Sequence, residues 1–235
     1  MNKLAVITGG TKGIGRALIH QFASAGFDII TCSRNEQDLE RLRVEFAGTY
    51  SGVSLFARRS DLSYKPEVVD FINFIYSNCS HVDVLINNTG TYLPGSVYNE
   101  PDGQLETMIH TNLYSAYHLT RGILPQMIHD RRGHVFNICS IASIMPYANG
   151  GSYSISKYAI FGMTKVLREE MKPYGIRVTA VLPGATYTSS WEGVDLPETR
   201  FIKAEDIANA VFSVYSLSPQ TVVEEILIRP QEGDV

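Results

Sequence analysis

The sequence predicts a doubly wound α/β domain: a mostly parallel, seven-stranded sheet with helices on both faces. Three observations carry this. Short β-branched runs alternate with longer amphipathic stretches along the chain, the pattern of repeated β-α units. Most of the short runs are continuously apolar, which suits strands buried on both faces of a parallel sheet. A glycine-rich turn stands between the first run and the first amphipathic stretch, at a strand's carboxyl end, where such sheets bind ligands.

The strand candidates are residues 4–8, 28–32, 53–57, 84–87, 134–138, 177–182 and 225–228. Helical patterns cover 14–25, 36–47, 66–78, a long stretch 104–129, 153–172 and 204–216. Pro66 falls where a first-turn proline is tolerated, and Pro173 with Gly175 stops the helix before them. Crossovers should be right-handed. No repeat, low-complexity segment or Pro/Ser-rich linker divides residues 1–235, so one domain is expected.

Composition excludes several classes. Hydrophobic residues at 44% and charged residues at 19% rule out disorder or a collagen-like repeat as a whole-chain reading. A net charge of -4 gives no electrostatic reason to expect nucleic acid or an anionic membrane as partner. Cys32, Cys79 and Cys139 are widely spaced and odd in number, and read as small buried apolar residues in a reducing compartment. No metal site is expected. The apolar run Leu4 to Ile7 is too short for a signal-peptide core or a membrane span, and a cytoplasmic protein is expected.

The first strand runs into Thr8-Gly9-Gly10-Thr11-Lys12-Gly13-Ile14-Gly15. Glycines at 9, 13 and 15 depart from the usual dinucleotide spacing but serve the same needs. These are tight turning, close backbone approach to a pyrophosphate, and a helix N-terminus aimed at its charge. A reader of NAD usually has an acidic residue at the end of the second strand. This chain has Ser33 there, with Arg34 beside it. A guanidinium can hold a 2′-phosphate that a carboxylate would repel, and Lys12 supplies a second cation. With no acid adjacent, the pair favours NADPH, although each alone also reads as a solvated surface charge.

Tyr153 and Lys157 open a predicted helix one turn apart, on the same face. Ser140 ends the strand before it, and Asn112 lies in the long helical stretch. With the glycine turn, Asp61-Leu62, Asn87-Asn88-Thr89-Gly90 and Pro183-Gly184 followed by Thr188, this set resembles the short-chain dehydrogenase/reductase family from Leu4 to about residue 190. That family has a Rossmann-type fold.

The resemblance implies NADP(H) as cofactor and a small carbonyl compound as substrate. In it Tyr153 gives the proton, Lys157 favours the phenolate and holds the nicotinamide ribose, Ser140 orients the substrate oxygen, and the Asn112 carbonyl holds a relay water. The implied cofactor residues are Gly9, Thr11, Lys12, Gly13, Ile14, Gly15, Ser33, Arg34, Asp61, Leu62, Asn88, Thr89, Gly90, Tyr153, Lys157, Pro183, Gly184, Thr186 and Thr188. Asp61 would accept from the adenine amino group. Thr89 departs from the alanine usual in the family; its hydroxyl is expected to bond locally to backbone or to tune cofactor affinity.

A short substrate loop, 188–203, suggests an open pocket, with Met145, Tyr147 and Trp191 as candidate lining residues, equally readable as packing or interface residues. Stretches in the C-terminal third resemble the bacterial sepiapterin-reductase-like branch, with 3-oxoacyl reduction comparably open. A non-catalytic NADP(H)-binding sensor or scaffold is the alternative of a different class. A homodimer or homotetramer is expected, packed through the helices around Asn112 and after Tyr153, where Leu113, Tyr117, Ile160 and Leu167 extend the apolar surface beyond one face.

Overall fold

The computed structural model describes residues 2–188 and 195–234. Seven strands form one sheet, β1 (Lys3–Thr8), β2 (Phe27–Ser33), β3 (Leu55–Arg59), β4 (Val84–Asn87), β5 (His134–Ile138), β6 (Arg177–Pro183) and β7 (Glu225–Ile228). Their order is β3-β2-β1-β4-β5-β6-β7, and every neighbouring pair is parallel. The order reverses between β1 and β4. The crevice at the carboxyl ends of these two strands is the expected ligand position.

Among the described residues, seven α-helices connect and cover the strands: α1 (Gly13–Ser24), α2 (Glu36–Thr49), α3 (Lys65–Asn78), α4 (Gln104–Ile109), α5 (Ser115–Asp130), α6 (Gly151–Met171) and α7 (Ala204–Tyr215). Strand β1 shows how the sheet is sandwiched. Ala5 and Ile7 face a core with Leu18 and Phe22 of α1, Phe46 of α2 and Val211 of α7. Leu4 and Val6 face the opposite core with Phe71 of α3, Ile123 of α5 and Leu167 of α6. Each of the larger side chains, fully buried, contributes about 1.5–3 kcal/mol. Both faces are therefore covered, as continuous apolar strands require. No helix among the described residues is long and apolar enough to cross a membrane.

Most elements begin and end within two residues of the sequence reading, and two of the differences have a local cause. Strand β3 lies two residues later than 53–57. Gly52, at φ +86°, turns the chain first, and Arg58 and Arg59 pair with Cys32 and Ser33 while remaining exposed. An edge strand tolerates such charges, because only its backbone must pair. The long stretch 104–129 is interrupted by a π-helical turn, His110–Tyr114, between α4 and α5, a local widening frequent at functional sites.

Asn137 of β5 stands opposite Asn87 of β4 in register. Asn87 Nδ2 donates to Asn137 Oδ1 at 2.8 Å and to Thr120 Oγ1 of α5 at 2.9 Å. Asn137 Nδ2 reaches Thr164 Oγ1 of α6 at 2.8 Å. This buried ladder ties both helices to the middle of the sheet, with Asn87 Oδ1 left without a partner among the described residues. All three cysteines are free thiols, with Cys32 and Cys139 buried and Cys79 half-buried. Burial pushes the Cys32 thiol up to about 12.

Candidate active site

The glycine turn caps β1 in the crevice. Gly9 and Gly13 adopt φ +66° and +51°, where a side chain would be strained. At Gly15 the obstacle is space, because a Cβ there would lie 2.3 Å from Gly9 O and 2.5 Å from Asn88 Nδ2. Gly10, absent from the expected set, packs as tightly: its Cβ would lie 2.3 Å from both Ile19 Cδ1 and Thr31 Oγ1. Ile14 seats α1 on the core.

The second side of the crevice is tied to this turn. Asn88 Nδ2 donates to Thr8 O at 2.8 Å and Gly9 O at 3.2 Å. The backbone N–H groups of Asn88 and Thr89 both donate to Thr8 Oγ1. The Thr89 hydroxyl makes no hydrogen bond to backbone among the described residues; it lies 3.3 Å from where a Gly9 Cβ would be.

Turn and crevice fit an anionic dinucleotide. The first turn of α1 has neither a side-chain cap nor an acidic residue, so its N–H groups remain for a phosphate. Thr11 Oγ1 donates to Ser33 Oγ at 3.2 Å, joining the turn to the end of β2. Arg34 is exposed and engaged by no carboxylate among the described residues.

Lys12 corrects the expectation that no acid stands nearby. Its Nζ lies 3.2 Å from Asp38 Oδ2 of α2, and Arg41 pairs with the same carboxylate. Although burial opposes it, hydrogen bonds from Lys12 and Arg41 hold the Asp38 carboxyl below its usual range. Asp38 sits three positions beyond Asn35, whose side chain caps α2. That places it on the first turn facing Lys12, an arrangement the sequence shows only once the cap is located.

Asp61 Oδ1 accepts from Ser63 N at 3.0 Å and Ser63 Oγ at 2.7 Å, and Leu62 is buried behind it. On the far side, Gly184 N donates to Ile228 O at 2.8 Å. Thr186 Oγ1 donates to Gly184 O at 3.0 Å, with Pro183 ending β6. Thr188 approaches Gly13, whose Cβ would meet Thr188 Cγ2 at 2.9 Å. The loop that follows returns as Phe201 and Ile202, and Tyr187 N donates to Ile202 O at 2.9 Å. Trp191 and its neighbours 189–194 lie outside the described residues.

Between these walls stand the expected chemical groups. Ser140 follows β5 and opens a 3₁₀ turn, Ile141–Ser143, as a capping box with Ser143. Its Oγ accepts from Ala142 N at 3.1 Å, so the hydroxyl proton is left to donate outward. Helix α6 packs on this turn and carries Tyr153 and Lys157 in its first two turns. Lys157 Nζ donates to Ile138 O at 3.0 Å and stands 5.7 Å from the centre of the Tyr153 ring.

Asn112, fully buried in the π-helical turn, joins three elements. It accepts from Thr91 N at 2.7 Å, and its Nδ2 donates to Thr91 O at 3.0 Å and to Ser156 Oγ at 2.9 Å. Ser156 Oγ in turn donates to Tyr153 O at 2.7 Å. Gly90 closes over the group: a Cβ there would lie 3.4 Å from Asn112 Oδ1 and 3.5 Å from Lys157 Nζ. Thr91 and Ser156 escaped the sequence reading because Asn112, which they bond, is distant in the chain, and Ser143 pairs with Ser140 only three residues before it. The Ser-x-x-Ser spacing of the capping box was the one local signal.

Comparison with known proteins identifies the family. The chain is 31% identical over 243 residues to a sepiapterin reductase of Chlorobaculum tepidum, covering 100% of this chain and 99% of that protein. It is 29% identical over 221 residues to a 3-oxoacyl-[acyl-carrier-protein] reductase of Staphylococcus epidermidis, covering 90% of each. A crystal structure of a metagenomic short-chain oxidoreductase in complex with NADP superposes with a TM-score of 0.85 at 28% identity, over 97% of both chains. The family model described as short chain dehydrogenase matches residues 3–198, and the chain belongs to that family of oxidoreductases.

Proposed function

We propose that this protein reduces a ketone or aldehyde to an alcohol with NADPH, Tyr153 giving the proton. The observation that supports this best is the convergence of Ser140, Tyr153 and Lys157 at the carboxyl ends of β4 and β5, anchored through Asn112. Bound NADPH supplies the hydride. The N–H groups of the 9–15 turn would hold its pyrophosphate, Arg34 its 2′-phosphate, and Asp61 its adenine amino group. Ser140 donates to the substrate oxygen and aligns the carbonyl with Tyr153. The Tyr153 phenol gives its proton as negative charge develops on that oxygen, and the Lys157 ammonium stabilises the phenolate left behind.

The test is a panel of carbonyl compounds, sepiapterin and an acetoacetyl thioester among them, followed by NADPH absorbance. Wild type should turn over at least one. Tyr153→Phe should lose about 10²–10⁴-fold in kcat with the dissociation constant for NADPH retained. A Phe variant with wild-type turnover would remove Tyr153 from the role.

The protein is further read as a homodimer or homotetramer, on a corrected set of residues. Ile160 and Leu167 are buried within the chain, since they face its own sheet. The exposed large apolar side chains of the two helical segments are Leu105, Tyr114, Tyr117, Ile155, Tyr158 and Val166. Light scattering at micromolar concentration should give a multiple of 26.1 kDa, and a monomer would refute this.

A further inference from the structure

The amino ends of the strands, at the opposite end of the sheet from Tyr153, hold a recess of about 610 Å³. Lys3 and Arg177, which open β1 and β6, line it together with Phe27, Phe212, Tyr215 and Leu217. No acidic side chain is among its lining residues.

The two cations share one aromatic ring. Lys3 Nζ stands 5.4 Å from the centre of the Tyr215 ring and 5.8 Å from that of Phe27. Arg177 Cζ is 5.7 Å from the Tyr215 centre. Neither cation is paired with a carboxylate among the described residues, in a chain that carries more acid than base. Arg177 Nη2 donates to Tyr215 O at 2.9 Å and Nη1 to Leu217 O at 3.2 Å. These bonds fix the guanidinium plane and leave its other N–H groups for a further acceptor. Desolvation lowers the Arg177 pKa from its ordinary value, the mark of a cation partly withdrawn from water, where it attracts an anion more strongly.

Helices α1 and α7 both end at this recess, and cations complement the partial negative charge of helix carboxyl ends. That complementarity accounts for Arg177, whose bonds go to the end of α7. It does not account for Lys3, whose ammonium stands over rings, nor for the open volume beside the pair. Each helix end would weaken anion binding about two- to fivefold. Each charge-assisted hydrogen bond would strengthen it about tenfold or more, so the cations outweigh the helix ends.

We propose that this recess is a second ligand site, for a monoanionic aromatic carboxylate, independent of the cofactor crevice and of the reductase reading. The carboxylate lies on Arg177 and Lys3, and the ring against Phe27, Phe212 and Tyr215. A planar carboxylate matches the edge of a guanidinium. The volume is that of an ordinary small-molecule site and far exceeds what a lone inorganic ion would fill.

The experiment titrates the NADP⁺-saturated protein with 2-naphthoate and follows amide chemical shifts. The amides of Gly26, Phe27, Ser216 and Leu217 should move saturably, and those of residues 9–15 should not. The neutral analogue 2-naphthamide should bind at least tenfold more weakly. Arg177→Gln should weaken 2-naphthoate about tenfold or more. Because that change also removes two bonds to the end of α7, Lys3→Glu at an exposed position is the second variant. It should weaken 2-naphthoate about tenfold with the rest of the amide spectrum unchanged. No shift at millimolar 2-naphthoate, equal binding of carboxylate and amide, or undiminished binding to Lys3→Glu would overturn the proposal. Tighter binding of 2-naphthylmethylammonium than of 2-naphthoate would overturn it too, by showing that the helix ends dominate.

Discussion

Arg34 and Lys12 carry the same charge, but they do not stand in the same position. Lys12 is already held by Asp38 at 3.2 Å, so a phosphate would have to share it with a carboxylate. Arg34 has no such competitor among the described residues. A charge-assisted hydrogen bond is worth about 1.5–3 kcal/mol, so Arg34→Ala should cost about tenfold to a hundredfold in NADPH affinity and little in NADH affinity. Lys12→Ala should cost less. Dissociation constants for both cofactors on the three proteins decide it. Equal affinity of wild type for NADPH and NADH would end the NADPH reading. The sequence displayed both cations but not Asp38's hold on one of them, because that pairing depends on where α2 begins and which side its first turn presents.

Among the elements, the first strand, glycine turn and first helix were the most legible, since turn geometry and helix start are local in sequence. The tightness of the turn was not. Gly15→Ala would place a methyl against Gly9 O and Asn88 Nδ2, one from the turn itself and one from the segment after β4. Moving backbone to admit it should cost about 1–3 kcal/mol and weaken NADPH binding in proportion, measured by urea unfolding with and without cofactor. The helices told the opposite story. Apolar periodicity continued through His110–Tyr114, so a single helix was expected over 104–129. The π-helical turn arises where Asn112 turns inward to Thr91 and Ser156, contacts that exist only once the sheet has assembled. Tyr92, whose ring centre lies 5.0 Å from that of Tyr153, went unnoticed for the same reason: nothing within its own loop marks it as a neighbour of Tyr153.

At the scale of the molecule, the carboxyl ends of the strands hold the site, while the amino ends hold a buried group that ties stability to pH. His134 opens β5, fully buried and stacked on Phe136 at 3.9 Å. Thr179 Oγ1 donates to Val223 O at 2.7 Å, so it accepts the His134 Nε2 proton at 2.8 Å. Nδ1 is left without a partner among the described residues. Desolvation, with Arg177 adding to it, lowers the His134 pKa well below 6.5. Below about pH 6.5 the unfolded chain therefore takes up a proton that the folded one refuses. The contribution of His134 is complete above that pH and is lost as pH falls toward the folded pKa, by up to about 1.4 kcal/mol per pH unit. Urea unfolding between about pH 5 and 7.5 should show this slope, and His134→Gln should flatten it by up to one proton. A variant with an unchanged slope would place the acid sensitivity elsewhere. The two-faced sheet that buries His134 was readable from the apolar strands; the ring's missing partner was not, since it depends on which side chains line the amino ends of β5 and β6.

The loop before α4 is hydrogen-bonded to the start of α6. The opening amide hydrogens of a helix normally exchange freely with solvent, having no carbonyl to bind. In α6 they are occupied: Gly151 N donates to Gly95 O at 2.9 Å, and Ser152 N to the Glu100 carboxylate at 3.3 Å. Gly95 and Glu100 belong to the same loop as Tyr92. Deuterium uptake at Gly151 and Ser152 therefore works as a clock for that loop. Each opening of the loop exposes two amides beside Tyr153, and a ligand seated against Tyr92 should slow their labelling. Wild-type uptake at those two positions, unchanged by saturating cofactor and ketone, would show that the loop and the helix move independently.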